Sequence, residues 1–262
     1  MNRSRESSMK WQRYEVKYLI GEVQAAEVSR YCRDYLPADP HAANRSGREY
    51  PVSSFYLDST TRELLRHTID KHPSRFKLRM RIYKHFDEPR EDAVAFFEVK
   101  RRIDAIIQKN RLRVGPGEHG ALLWNGRTIE DHSSQSKNGK QSPGMKFFSL
   151  RERIGADPVL GIFYRREAYE TTAADRVRVT LDRGLHYGIL ARPGNGNRDM
   201  WWPVEMGGVV LEIKFTNTYP FWFANMLRRL EVMRRGVCKY VICSRAAGVC
   251  VEDGGLQQRR TP

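Results

Sequence analysis

Residues 76–83 read FKLRMRIY. Phe76, Leu78, Met80 and Ile82 fall on one side of a period-two pattern and Lys77, Arg79, Arg81 and Tyr83 on the other, which predicts a β-strand with one apolar and one cationic face. The pattern recurs in both directions along the chain. Upstream, Arg13, Glu15 and Lys17 alternate with Tyr14, Val16 and Tyr18. Downstream, Glu98 and Lys100 share a face, as do Lys109, Arg111 and Arg113. Further on, Arg176, Arg178, Thr180 and Asp182 oppose Val177, Val179 and Leu181, and Glu212 and Lys214 oppose Leu211, Ile213 and Phe215.

A set of antiparallel sheets with one solvated face accounts for the alternation. The sign bias asks for more, because neighbouring cations on one sheet repel, a cost accepted where a polyanion or a metal ion neutralises them. If the charged face turns inward the sheet becomes a basic tunnel, and its outward apolar faces need helices to cover them. The expected fold is therefore α+β: an antiparallel β-barrel tunnel with helices packed outside. Helical spacing appears over Glu22–Leu36, after Asp58 (with Thr60 and Glu63 in a capping-box pattern and Leu64 and Leu65 inward), over Met145–Ile154, and after Pro220. In the last of these Phe223, Met226, Leu227, Leu230 and Met233 make one stripe, read as core.

The 262 residues carry 46 Lys plus Arg against 31 Asp plus Glu, a net charge of +15, and 40% apolar content is enough to fold rather than stay disordered throughout. No apolar run approaches the ~18–20 residues of a membrane-spanning helix, and MNRSRESSMKWQ has no apolar stretch behind its charges, so a cytoplasmic location is expected. Cys32, Cys238, Cys243 and Cys250 lack paired zinc spacing and read as reduced thiols. Residues 1–10 are expected to be disordered, 11–250 to form a single domain, and 251–262 to be a flexible tail, with surface loops over 132–144 and 192–199. A pI near 9.9 also fits nucleic-acid binding, but the cations lie on strands without stacking aromatics or a helix-turn-helix pattern, so no specific nucleic-acid partner is expected. Neither a GxxxxGK[ST] loop nor an HExxH motif is present.

Taken in order, RYEVKY (13–18), SSFYLDS (53–59), KLRMRIY (77–83), FFEVKRR (96–102), YRREAYE (164–170), VRVTLD (177–182), VLEIKF (210–215) and CKY (238–240) resemble the VTC domain. That is the polyphosphate polymerase domain of vacuolar transporter chaperones and their bacterial relatives, one of the triphosphate tunnel metalloenzymes. The resemblance implies a barrel whose basic interior holds a polyphosphate chain and an enzyme that transfers the γ-phosphate of ATP to it, with Mn²⁺ or Mg²⁺. It implies catalytic roles for Lys17, Arg79, Arg81, Arg166 and Arg178, phosphate binding by Arg66, Lys100, Lys214 and Lys239, and metal ligation by Glu212. Cys238 stands where the family pattern has serine. These residue types suit the chemistry, since charge spreads over nonbridging oxygens in phosphoryl transfer and catalysis is mainly positioning and electrostatic stabilisation. Arg grips phosphate oxygens in pairs, and a carboxylate is a hard ligand for a divalent ion.

Two other readings share this fold. A tunnel triphosphatase would use water as acceptor, but such enzymes open on Glu-x-Glu-x-Lys, whereas Arg13, Glu15 and Lys17 occupy those places here. A non-catalytic module that only holds polyphosphate or another polyanion is the second.

Overall fold

The computed structural model describes residues 13–43, 45, 48–88, 90–104, 106–126, 142–171, 176–190, 200–216, 220–232 and 235–249. Its elements run β1 (Arg13–Ile20), α1 (Glu22–Tyr35), β2 (Glu49–Asp58), α2 (Glu63–Ile69), β3 (Ser74–Ile82), β4 (Ala95–Ile103), β5 (Ile106–Val114), α3 (His119–Asn125), α4 (Pro143–Arg153), β6 (Asp157–Glu170), β7 (Val177–Ile189), β8 (Met200–Pro203), β9 (Val209–Thr216), α5 (Phe221–Arg229) and α6 (Lys239–Ala246). The expected disordered start, the tail, the 192–199 loop, Met233 and Cys250 lie outside the described residues. So does most of the 132–144 loop, whose last residues, Pro143 and Gly144, already open α4 behind a Ser142 cap.

The fold is mixed α/β on a large antiparallel sheet of order β1-β9-β7-β6-β2-β3-β4-β5, with β8 on β7. This corrects the expected closed barrel, for the path has two ends and no described pairing joins β5 to β1. The physical reason is visible on β5: Lys109, Arg111 and Arg113 load that end strand with charge, which opposes further strand addition.

The chain divides into two compact units, one of Met1–Glu49, Arg166–Arg183 and Met206–Val237, the other of Tyr50–Arg165, Gly184–Glu205 and Cys238–Pro262. In the first, Tyr18 and Ile20 of β1, Val177, Val179 and Leu181 of β7 and Leu211 and Ile213 of β9 point to a core closed by Val28 and Cys32 of α1 and by Phe223 and Met226 of α5. The opposite sides of the same strands carry the charges. α5 ends at Arg229, and Leu230, its C-cap, still packs against this core.

In the second unit Leu78, Met80 and Ile82 of β3, Phe97 and Val99 of β4 and Val114 of β5 meet Leu64 of α2, Leu122 and Leu123 of α3 and Phe147 and Phe148 of α4. Each strand thus buries its alternate apolar residues under helices, as the period-two pattern requires. The start of α2 departs from the expected capping box. Asp58 does the work instead: its Oδ1 accepts the Ser59 and Leu64 amides at 2.8 and 2.9 Å, and its Oδ2 accepts the Leu65 amide at 3.0 Å and the Tyr240 hydroxyl at 2.7 Å. The Glu63 amide that a Thr60 cap would need goes to Ser59 Oγ at 3.0 Å, and Asp58 takes the next two amides of the helix.

Candidate functional site

Register aligns the charges of the second unit in rows across β3, β4 and β5. Lys77 lies opposite Lys100, which lies opposite Lys109; Arg79 lies opposite Glu98 and then Arg111; Arg81 lies opposite Phe96 and then Arg113. Seven cations share this face with one carboxylate. That carboxylate, Glu98, is wholly buried and is met by Arg79 at 2.6 Å, Lys109 at 2.7 Å and Arg111 at 2.7 Å. Burial alone would push its pKa up, but Arg79, Arg81 and Lys109 together hold it well below the usual carboxylate range.

Stability follows from that displacement. With the folded value below the unfolded one near 4.5, the contribution of Glu98 is complete above pH 4.5 and is lost progressively as pH falls towards the folded value. The melting temperature is therefore expected to drop below that pH, by roughly 2–4 °C per kcal/mol lost. Glu98→Gln, which has nothing to titrate there, should flatten the profile in a pH series of thermal melts. An unchanged acid slope in the variant would remove Glu98 from this account.

Arg79 also donates to the Tyr56 hydroxyl at 3.2 Å, and Arg81, itself 7% exposed, donates to Ser54 Oγ at 3.1 Å and to the Tyr164 hydroxyl at 3.2 Å. Burial would raise the Tyr56 pKa, yet Arg79, Lys77 and Arg81 lower it overall, a measure of the positive potential on this face. Tyr56 stacks on Tyr240 of α6 at 4.6 Å, and Lys239 of the same helix lies 4.7 Å above the Tyr164 ring. Lys77 Nζ donates to Cys238 Sγ at 3.1 Å, so the position expected to hold serine touches the cationic face through sulfur.

The charged side of the first unit is balanced rather than positive. Lys17 sits 3.0 Å from Glu15 and 3.7 Å from Glu212, and Lys214 sits 2.5 Å from the other oxygen of Glu212. Arg178 meets Asp39 at 2.7 Å and Glu170 at 3.7 Å. Arg166 is gripped by both oxygens of Asp182, at 2.6 and 2.8 Å, and both side chains are buried.

Among the described residues no group of three His, Cys, Asp or Glu forms a metal cage. The donor set nevertheless fits a hard divalent ion that arrives with phosphate, which takes one or two carboxylates from the protein. Glu212 lies opposite Lys17 on β1 and Thr180 on β7, and the Thr180 hydroxyl, on a residue 2% exposed, has no hydrogen-bond partner among the described residues. Glu15 faces the same way one register step along.

Of the residues singled out from the sequence, Arg79, Arg81 and Lys100 come together with Lys239 in the second unit. Lys17, Arg166, Arg178, Glu212 and Lys214 lie on the charged side of the first. Arg66 joins neither; it is exposed on α2 and donates to the Thr61 carbonyl at 2.9 Å. Sequence reasoning missed Asp39 and Asp182, whose arginine partners are 139 and 16 residues away, and no spacing signal marks either pair. Glu98 was legible only as a residue sharing a strand face with Lys100, although its place among alternating cations marked it.

These features define a mixed α/β protein on a large antiparallel sheet with a cation-lined face. The chain belongs to the VTC domain family, whose model matches residues 12–247. No curated protein matches it significantly. Among solved structures it is similar to the PH1819 protein of Pyrococcus horikoshii OT3, at 15% identity over 90% of this chain and 99% of that one, with a TM-score of 0.45. It is also similar to a Bacillus halodurans protein described as a "putative adenylate cyclase", at 12% identity over 85% and 91% of the two chains and the same TM-score of 0.45. Neither likeness bears on activity. No helix among the described residues is long and apolar enough to cross a membrane.

Proposed function

We propose that the protein is a polyphosphate polymerase, transferring the γ-phosphate of ATP to a growing inorganic polyphosphate chain. The observation that carries this reading is the set of in-register rows on β3, β4 and β5, where seven cations face a single buried carboxylate. Such a face is stable only because Glu98 ties Arg79, Lys109 and Arg111 together, and it keeps a large positive excess for an anion with many charges. Arg81 donates hydrogen bonds only to the neutral oxygens of Ser54 and Tyr164 and feels Glu98 without a direct ion pair, so its guanidinium is the least neutralised of the arginines around that carboxylate. Arg79 is oriented by Glu98 and Tyr56, which suits a fixed two-point grip on phosphate oxygens.

In this reading Arg79 and Arg81 stabilise the transferring phosphoryl group and Lys100 and Lys239 hold the chain on the second unit, while the first unit offers Lys17 and Lys214; Arg166 and Arg178 take the phosphate roles that the family resemblance implies only if their pairs with Asp182 and Asp39 open. A divalent ion held by Glu212 would neutralise charge on the phosphate oxygens when bound. Lys17 and Lys214 hold the Glu212 carboxylate in place, and the Thr180 hydroxyl beside it can donate to a phosphate oxygen. No covalent nucleophile is required.

Incubation of the purified protein with labelled ATP and Mn²⁺, followed by separation of long polyphosphate from free phosphate, tests the reading. Long polymer is the expected product. Free phosphate alone would identify a triphosphatase, and binding with no turnover a polyanion-binding module. Arg81→Ala is expected to weaken tripolyphosphate binding by about 1.5–3 kcal/mol, tenfold or more, in titration calorimetry. Unaltered affinity would show that the face does not bind phosphate.

A further inference from the structure

The cationic face of the second unit does not stop at Lys77. One step further along β3 and β4, Arg75 lies directly opposite Arg102, on the same side of the sheet as Lys77 and Lys100. Two like charges in cross-strand register oppose sheet formation. No carboxylate among the described residues relieves them: Arg75 donates to the His72 carbonyl at 2.6 Å and Arg102 to the Asp104 carbonyl at 2.7 Å. Burial and then the neighbouring Arg102 lower the pKa of Arg75, with Cys238 opposing them in part. Backbone carbonyls thus hold both guanidinium groups in place without cancelling their charge.

The face therefore carries four successive rows, beginning at Arg75, Lys77, Arg79 and Arg81. Alternate residues of an antiparallel strand are about 6.8 Å apart, so four rows span about 20 Å, whereas a triphosphate covers about one interval. We propose that Arg75 and Arg102 form an outlying subsite that binds the distal part of a linear polyphosphate chain and selects chains longer than a triphosphate. This rests on the reading of the face as polyphosphate-binding. It adds that length is recognised at the open end of β3 and β4, away from Arg81.

Affinities for tripolyphosphate and for a linear polyphosphate of about ten phosphates, long enough to cross all four rows, test it in the wild type and in Arg75→Gln/Arg102→Gln. The wild type should bind the long chain more tightly. The double variant should lose about tenfold or more for the long chain and nothing for tripolyphosphate. Its slope of log affinity against log salt should fall by about one to two for the long chain only, a readout that misfolding would not confine to one ligand. Arg75→Lys/Arg102→Lys, which keeps the charge, should restore most of the loss. Equal losses for both ligands, or none for the long one, would overturn the proposal. Binding is read without turnover, so failure of the wild type to make polymer would refute the polymerase reading and leave the length dependence standing.

Discussion

Glu212→Gln is expected to lower phosphoryl transfer by about a hundredfold or more while leaving tripolyphosphate binding intact or slightly tighter. The two effects part because of where the carboxylate sits. One of its oxygens is 2.5 Å from Lys214 and the other 3.7 Å from Lys17, with only 9% of the side chain exposed. The amide removes an anionic oxygen ligand and none of the phosphate-gripping charges, and it frees two ammonium groups for an anion. Turnover with saturating Mn²⁺ and a calorimetric titration of tripolyphosphate, run on the same preparation, give both numbers. Wild-type synthesis by the variant would sink the assignment of Glu212. Loss of binding in step with turnover would mean that the carboxylate holds the site together instead.

The largest stability effect belongs to Asp182. Its two oxygens take Nε and Nη2 of Arg166 at 2.6 and 2.8 Å, and Asp182 is wholly buried while Arg166 is 8% exposed. Removing one member of such a pair strands the other charge in a poor solvent, so Asp182→Asn should cost about 3–5 kcal/mol in urea denaturation. Replacing both members by apolar residues of similar size should recover much of that, because the desolvation penalty of both ions disappears together. A near-normal urea midpoint for Asp182→Asn would show that Arg166 is not tied to Asp182 in solution and can serve phosphate directly.

Local alternation made much of this legible. FKLRMRIY placed Leu78, Met80 and Ile82 in the core and Lys77, Arg79 and Arg81 on the charged side, because a strand leaves each side chain no third direction. The same logic held for Val179 against Arg178 and for Ile213 against Glu212. What spacing could not reveal were the partners. Arg178 looked like a free phosphate ligand until Asp39, in the segment after α1, was found against it. Arg166 looked the same until Asp182 of the neighbouring β7 took two of its donors. Ion pairs across distant strands depend on topology, which carries no period in the chain. The excess charge that seemed spread over six strands is therefore concentrated on three. The capping box at Thr60 was a sound local signal overruled by Ser59 and Asp58 just before it.

The grip of Asp58 on Tyr240 also sets a timetable. The two residues are 182 positions apart, so at synthesis rates of about 5–20 residues per second the carboxylate emerges roughly 10–40 s before the hydroxyl it receives. During that interval β3, β4 and β5 can pair, being consecutive hairpin strands, and Asp58 can already hold the first turn of α2. Tyr56 has no ring to lie on and Tyr164 has no ammonium above it until α6 arrives. The cationic face is thus assembled in its strands early and finished by α6, so a nascent protein on the ribosome carries the charges that attract polyanions well before it carries the complete surface that orders them.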